Sequence, residues 1–125
     1  MTNGTSQVRI VNTSRDVVLA ERCPVARTFR QRNIGLLRTP LAALGDGLLI
    51  ERSPSIHMFF MSYPIDAIFL DRAGRVVRVA ADLKPWRVVA WAPGARDCYE
   101  APPGTAARTQ TRVGDHLDIS AVTLA

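Results

Sequence analysis

Residues 56–79 decide the fold, and they read IHMFFMSYPIDAIFL followed by DRAGRVVRV. The short apolar runs at 56–61 and 65–70 and the valine-rich run at 75–79 are typical of strands. A proline separates the first two runs, and the DRAG segment has the aspartate and glycine positions of a type I turn. The stretch therefore predicts an antiparallel meander of three strands.

The rest of the chain adds shorter strands and one helix to this meander. The helix is predicted over residues 24–34, because Pro24 suits a first helical position, where its missing N–H leaves no hydrogen bond unmade, and Gly35 suits the end. The predicted class is α+β, a predominantly antiparallel β-sheet curled into a small barrel or sandwich with one α-helix in the N-terminal half. Further strands are predicted at residues 8–11, 17–20, 48–50, 97–101 and 116–120.

The length and charge of the chain restrict its class. A chain of 125 residues predicts a single globular domain over 8–125, after a polar and frayed start at residues 1–7. The formal net charge is +5, and all of the 16 basic residues except Lys84 are arginines. Because acidic residues interrupt the arginines and no basic block occurs, scattered surface charge is favoured over a nucleic-acid patch. Nucleic-acid binding is the weaker alternative.

The sequence lacks the common cofactor, metal and membrane motifs. Cys23 and Cys98 have no metal-ligand spacing; they could form one disulfide bridge, but two free buried thiols are favoured in a domain of this size. Phosphate-binding glycine motifs, zinc-protease motifs and nucleophile elbows do not occur, so neither a cofactor nor a metal is predicted. The first residues lack the basic start and apolar core of a signal peptide, and no apolar run could span a membrane, so a cytoplasmic location is predicted.

Two polar residues stand inside the apolar runs of the meander, and they are the sharpest site candidates. Burying His57 and Asp66 without hydrogen bonds costs about 1 to 3 kcal/mol each. If Phe59 pairs with Asp66, then His57 pairs with Ile68, and the imidazole and the carboxylate share one face; a shift by one residue separates them. The pair is either an acid–base or ligand site, or a structural arrangement in which Asp66 binds backbone amides beside Pro64 and His57 is a satisfied internal histidine. The structural alternative is favoured, because carboxylates at turns usually bind the local backbone.

Three further residues complete the candidate ligand-binding set, which is His57, Met61, Asp66, Trp86 and Glu100. Glu100 precedes the stiff segment Ala-Pro-Pro-Gly and could supply a second carboxylate to the site, or bond to backbone amides or an arginine. We predict a non-enzymatic binding or accessory module that recognises a small molecule or a protein partner. The alternative is a cofactor-independent enzyme with His57 as base, Asp66 as orienting residue and Glu100 as acid.

Short motifs across residues 20–119 occur in an order that is typical of one family. They are RNIGLLR at 32–38, GLLI at 47–50, IH at 56–57, FM at 60–61, PID at 64–66, FLD at 69–71, PWR at 85–87, EAPPG at 100–104 and GD at 114–115. In these motifs the chain resembles the domain of unknown function 192 family. The resemblance implies a compact, mainly β domain with a helix near its start, which occurs in bacteria and archaea, and it implies no established activity. Met58 and Ser62 depart from the family, which often has a threonine and a basic or amide residue at these positions.

Overall fold

The computed structural model describes residues 6–28, 31, 36, 39–56, 58, 61–86 and 90–122. In these residues the α-helix α1 spans Thr105–Thr109, and a single 3-10 turn spans Leu41–Ala43. The strands are β1 (Gln7–Asn12), β2 (Val17–Ala26), β3 (Leu48–Ile50), β4 (Ser55–Ile56), β5 (Ile65–Leu70), β6 (Val76–Leu83), β7 (Ala90–Trp91), β8 (Asp97–Ala101) and β9 (Leu117–Ala121). Of the segment predicted as frayed, residues 1–5 lie outside the described residues.

Seven of these strands form one sheet in the order β6-β5-β8-β3-β2-β1-β9. Neighbouring strands are antiparallel except β2 and β3, which run parallel. The sheet curls into a half-barrel. Strands β4 and β7 pair with each other in a separate two-stranded sheet. The predicted α+β class with a curled, mainly antiparallel sheet is confirmed.

Strand β5 lies inside the sheet, and all six of its residues are buried. Apolar side chains therefore pack on both faces of the sheet. Successive side chains of a strand point to opposite faces, so β5 contributes alternately to two clusters. The first cluster contains Val8, Ile10, Leu19, Ala20, Cys23, Val25, Leu49, Ile68, Leu70, Val76, Tyr99, Ala101 and Leu117. The second cluster contains Leu36, Leu44, Ile56, Met58, Met61, Tyr63, Ile65, Ala67, Phe69, Ala92 and Cys98. Several members of the second cluster, such as Leu44, Met61 and Ala92, belong to connecting segments, which cover this face of the sheet.

The predicted helix at residues 24–34 is wrong at its start, because β2 continues to Ala26. Pro24 lies opposite Gln7 of β1, and the next residue, Val25, already lies opposite Leu49 of β3. Pro24 thus stands where the strand exchanges one neighbour for the other, at a position that tolerates a residue without an N–H. Pairing with two strands overrides the local signal for a helix start.

The helix that the structure places after the Pro-Pro-Gly segment was missed by the sequence interpretation. It is α1, which has only five residues and therefore too few positions for a helical pattern to emerge. Within the segment predicted as helix, Gln31 is helical, whereas residues 29–30 and 32–35 lie outside the described residues.

The second hairpin of the predicted meander is confirmed. Strands β5 and β6 pair antiparallel across the DRAG turn. In this turn the Gly74 N–H donates to the carbonyl of Asp71 at 3.1 Å, and the Asp71 carboxylate accepts the N–H groups of Ala73 and Arg75 at 2.9 Å each. Gly74 has a φ of 87°, a left-handed conformation that favours glycine.

The first strand of the predicted meander, residues 56–61, is wrong. Strand β8 occupies the edge of β5 that this strand would need, so both edges of β5 are already paired. Ile56 belongs to β4, whereas Met58 and Met61 lie outside any strand. Asp66 lies opposite Ala101 of β8, which is neither of the two registers considered for it. Positions 57, 59 and 60 lie outside the described residues.

Candidate functional site

The two acidic candidates lie on opposite faces of the sheet. Asp66 of β5 lies opposite Ala101 of β8, and Ala67 lies opposite Glu100. Residues that face each other across an antiparallel pair share one face. Asp66 therefore lies on the face of the first cluster with Ala101, and Glu100 lies on the face of the second cluster with Ala67. A site shared by both carboxyl groups is not built here, and His57 lies outside the described residues.

Asp66 binds the backbone of two other elements. Its side chain is buried, with only 1% of the residue exposed. Oδ1 accepts the N–H of Asp82 at 2.8 Å, and Oδ2 accepts the N–H of Ala106 at 2.9 Å. Asp82 has a φ of 51°, so this carboxylate also stabilises a strained position in β6. Binding to backbone amides was the structural alternative for Asp66, but these amides belong to β6 and α1 rather than to the turn at Pro64.

Replacing Asp66 with asparagine should lower the free energy of unfolding by about 1 to 3 kcal/mol. The amide keeps one acceptor oxygen and turns an N–H₂ group towards the second backbone N–H, so one buried donor loses its partner. Urea denaturation followed by circular dichroism measures the loss. Asp118→Asn, a change at an exposed position of β9, is the matched control and should cost less than about 0.5 kcal/mol. Equal stability of Asp66→Asn and the parent chain would contradict the capping role.

Glu100 is a deeply buried carboxyl group whose pKa is raised. Only 6% of the residue is exposed, and burial raises the pKa of its carboxyl from 4.5 to about 7. Its side chain forms no hydrogen bond with another described residue, although every fully sealed side-chain oxygen or nitrogen in this part of the chain has a partner. The carboxyl oxygens must therefore keep some contact with solvent. At neutral pH this group is present in both its protonated and its ionised form, and its oxygens can accept further hydrogen bonds.

Among the described residues, the Tyr63 hydroxyl group is a polar neighbour of Glu100. Burial raises the pKa of Tyr63, and the charge of Glu100 raises it further, so the two groups are close. The Tyr63 hydroxyl donates to the carbonyl of Thr39 at 2.8 Å. Cys98 lies on the same face of β8 as Glu100, in the second cluster. The sequence interpretation missed Tyr63 as a neighbour of Glu100, because only the pairing of β5 with β8 brings them together.

Met61 and Trp86 border the same second cluster. Met61 is buried within it, and its N–H donates to the carbonyl of Met58 at 3.3 Å. The backbone N–H of Trp86 donates to that same carbonyl at 2.7 Å. Trp86 is 58% exposed and has a φ of 67°. A bulky residue held in the left-handed region is strained by about 1 to 2 kcal/mol, and such strain is concentrated at functional sites.

Burial makes both cysteines poor nucleophiles in this structure. Both thiols are free and buried, as predicted. Burial raises the pKa of Cys23 to about 12 and that of Cys98 well above its usual value. The reactive thiolate is therefore scarce at neutral pH. The two thiols also belong to different clusters, Cys23 to the first and Cys98 to the second.

The fold and the site define a small α+β half-barrel in which a buried carboxyl group faces an apolar cluster that is covered by connecting segments. The chain belongs to the domain of unknown function 192 family (DUF192, "Uncharacterized ACR"), whose family model matches residues 10–119. The resemblance found in the sequence motifs is thereby confirmed.

Relatives and solved structures agree with this assignment. A UPF0127 protein of Pyrococcus horikoshii is 38% identical over 111 residues, which cover 86% of this chain and 96% of the relative. The crystal structure of a Novosphingobium aromaticivorans protein of unknown function matches with a TM-score of 0.73 and 30% identity, over 90% of this chain and 83% of that one. A Sinorhizobium meliloti protein, named as a candidate transcription regulator, matches with a TM-score of 0.76 over 95% of this chain and 96% of its own; its 20% identity shows the fold alone.

Among the described residues, no helix is long and apolar enough to cross a membrane. The same residues contain no group of three or more histidine, cysteine, aspartate or glutamate side chains that could hold a metal ion.

Proposed function

We propose that this chain is a non-enzymatic binding module whose site lies at the border of the second cluster. Glu100 is the polar anchor, Trp86 supplies an exposed aromatic surface, and Met61 forms part of the apolar wall between them. The observation that carries the proposal is a buried carboxyl group that has no hydrogen-bond partner in the part of the chain that the structure describes. His57, predicted from the sequence, remains a candidate member of this site. Asp66 is left out, because backbone amides occupy both of its oxygens.

The properties of these residues indicate the chemistry of the ligand. A carboxylate in apolar surroundings binds a protonated amine or another strong hydrogen-bond donor, because a charge-assisted bond offsets the cost of burying the charge. An exposed indole ring attracts both apolar surfaces and cations. We therefore expect a small ligand that joins an apolar or aromatic group to a protonated amine.

The proposal is tested by titrating the ¹⁵N-labelled chain with 2-phenylethylamine and following amide and indole resonances. The amine should shift the indole resonance of Trp86, whereas phenylacetate, the matched acid, should not. Since only the carboxylate attracts the cation, and the pKa of Glu100 is about 7, affinity should rise about tenfold between pH 6 and pH 8. Binding that does not change over this pH range would contradict a role of Glu100.

Two variants and one matched control separate this site from unspecific binding. Glu100→Gln and Trp86→Ala should each weaken binding about tenfold or more, which is the loss of one charge-assisted bond or of one aromatic contact. Trp91→Ala is the control, because Trp91 of β7 is exposed to nearly the same extent, 56% against 58%. Equal weakening by Trp86→Ala and Trp91→Ala would refute the assignment of the site.

One observation favours a second function, a cofactor-independent enzyme. A carboxyl group with a pKa near 7 can both give and take a proton at neutral pH, which is what general acid–base catalysis requires. Glu100 would be the acid or base, with His57 as its partner. The same titration distinguishes the two functions, because a catalyst changes the one-dimensional proton spectrum of a bound compound over hours and a binding module does not.

A further inference from the structure

Three arginines that are far apart in sequence meet at one end of the sheet. Arg52 follows β3 by two residues, Arg72 follows β5 by two residues, and Arg96 directly precedes β8. The ends of these strands are adjacent in the sheet, since Ile50 lies opposite Cys98 and Leu70 lies opposite Asp97.

Backbone hydrogen bonds hold the three connecting segments together at this end. The Arg96 N–H donates to the carbonyl of Leu70 at 2.7 Å, and the Ser53 N–H donates to the carbonyl of Arg96 at 2.7 Å. The Arg52 N–H donates to Oδ1 of Asp97 at 3.1 Å. The positions of the three arginines are therefore fixed by the sheet rather than by loose loops.

The three arginines line a cleft of about 570 Å³ together with Pro54, Gly94 and Ala95. This volume is within the range of small-molecule sites. None of the described residues that line the cleft is acidic, although the Asp97 carboxylate lies next to Arg96. Arg52 has a φ of 56°, so a non-glycine residue is held in the left-handed region at the wall of the cleft, as is common at binding sites.

The guanidinium groups in this cleft have N–H donors that no described residue accepts. Within the described residues, those of Arg52 and Arg72 form no ion pair and no hydrogen bond. Nε of Arg96 lies 3.8 Å from Oδ1 of Asp97, and this side chain is still 45% exposed. By contrast, Arg15 approaches Asp115 to 2.7 Å. Like charges around one cleft repel each other unless an anion lies between them.

We propose that this cleft is a binding site for a small polyanion that carries two or more phosphate or carboxylate groups. Each guanidinium offers a planar fork of donors that matches two oxygens of such a group. Three guanidinium groups offer more hydrogen-bond donors than a singly charged anion can accept. The site is separate from Glu100, because Arg96 and Glu100 are four residues apart on one extended segment, about 13 Å at 3.3 Å per residue.

The test uses isothermal titration calorimetry with the complete chain and inorganic pyrophosphate, at constant ionic strength. Pyrophosphate should bind in preference to chloride, and Arg72→Ala and Arg96→Ala should each weaken binding tenfold or more. Arg72→Lys, which keeps the charge and loses the fork, should weaken it less than Arg72→Ala does. Arg22→Ala is the control, since this exposed arginine of β2 lies outside the cleft, and it should change affinity less than twofold. Glu100→Gln should have no effect.

Two further probes identify the source of the anion or overturn the proposal. Citrate that binds better than pyrophosphate would identify a polycarboxylate, and the reverse order would identify a diphosphate group; both support the site. No preference of pyrophosphate over chloride, or equal weakening by Arg22→Ala and Arg72→Ala, would overturn it. A 20-nucleotide single strand that displaces pyrophosphate, binds more tightly than it does and loses affinity in Arg72→Ala would assign these arginines to nucleic acid and overturn the proposal as well.

Discussion

Replacing Gly47 with alanine is expected to lower the free energy of unfolding by more than about 4 kcal/mol, or to prevent folding. A Cβ atom at this position would stand 2.1 Å from the carbonyl oxygen of Glu100 and 3.2 Å from Cα of Ala101. Both obstacles are backbone atoms of β8, so no side chain can move away to make room. Gly47 also has a φ of 85°, which alanine adopts only under strain.

The consequence of this contact extends beyond one residue. Gly47 directly precedes β3, whose first residue, Leu48, lies opposite Glu100. Moving β3 away from β8 would break the centre of the seven-stranded sheet. Circular dichroism and urea denaturation measure the outcome. Gly104→Ala is the matched control, because Gly104 has a φ of 90° and no atom within 4 Å of the added Cβ, so only the conformational cost of about 1 to 2 kcal/mol remains. Equal losses in the two variants would show that the close approach to β8 is not what requires glycine.

The second large effect is expected from Glu100→Gln, and it depends on pH. The pKa of Glu100 is about 7 in the folded chain against 4.5 for an ordinary glutamate. Between these two values the folded chain binds more protons than the unfolded chain, so stability falls as pH rises through this window and is constant above it. The fall is about 1.4 kcal/mol per pH unit, or about 3 kcal/mol in all.

Glutamine cannot ionise, so this contribution disappears in the variant. At pH 8, Glu100→Gln should therefore be more stable than the parent by up to about 3 kcal/mol, while at pH 4.5 the two should be nearly equal. Urea denaturation at both pH values measures the difference. Glu21→Gln, at an exposed position of β2 that pairs with Arg9, should change stability by less than about 1 kcal/mol at either pH. A parent and a Glu100→Gln variant that lose equal stability between pH 4.5 and pH 8 would contradict the raised pKa.

A stabilising Glu100→Gln variant would also bear on function. If Glu100 destabilises the fold at neutral pH, stability does not explain why the residue is present. Asp66 differs, because its two backbone hydrogen bonds stabilise the fold. The combination of gained stability and lost amine binding in a single variant would assign Glu100 to a site. Gained stability with unchanged binding would leave the destabilising charge without a binding role.

Local sequence patterns correctly indicated those features that consecutive residues encode. The apolar composition of residues 65–70 and 75–79 predicted β5 and the first half of β6, and the DRAG pattern predicted the turn between them. Length, short strands and frequent turn residues predicted the α+β class, and the order of motifs indicated the family. The physical reason is that side-chain periodicity and turn chemistry are properties of a few neighbouring residues.

The same patterns failed where pairing with distant strands outweighed local preference. The Cys-Pro pair at positions 23–24 has the features of a helix start, yet β2 continues through it, because it gains β3 as a new neighbour there. Residues 56–61 have the composition of a strand, yet β8 already occupies the edge of β5 that they would need. The composition of a segment indicates that it is buried, but it does not indicate which strand the segment pairs with or packs against.

The amino-acid sequence by itself determined which segments are apolar, where the chain turns and which family it belongs to. Only the tertiary structure decided that Asp66 and Glu100 lie on opposite faces, that backbone amides bind Asp66 while none of those described binds Glu100, and that three scattered arginines share one cleft. Each of these depends on the register between β5 and β8, about thirty residues apart in the chain. A shift of one residue in that register reverses every face, and no stretch of neighbouring residues fixes it.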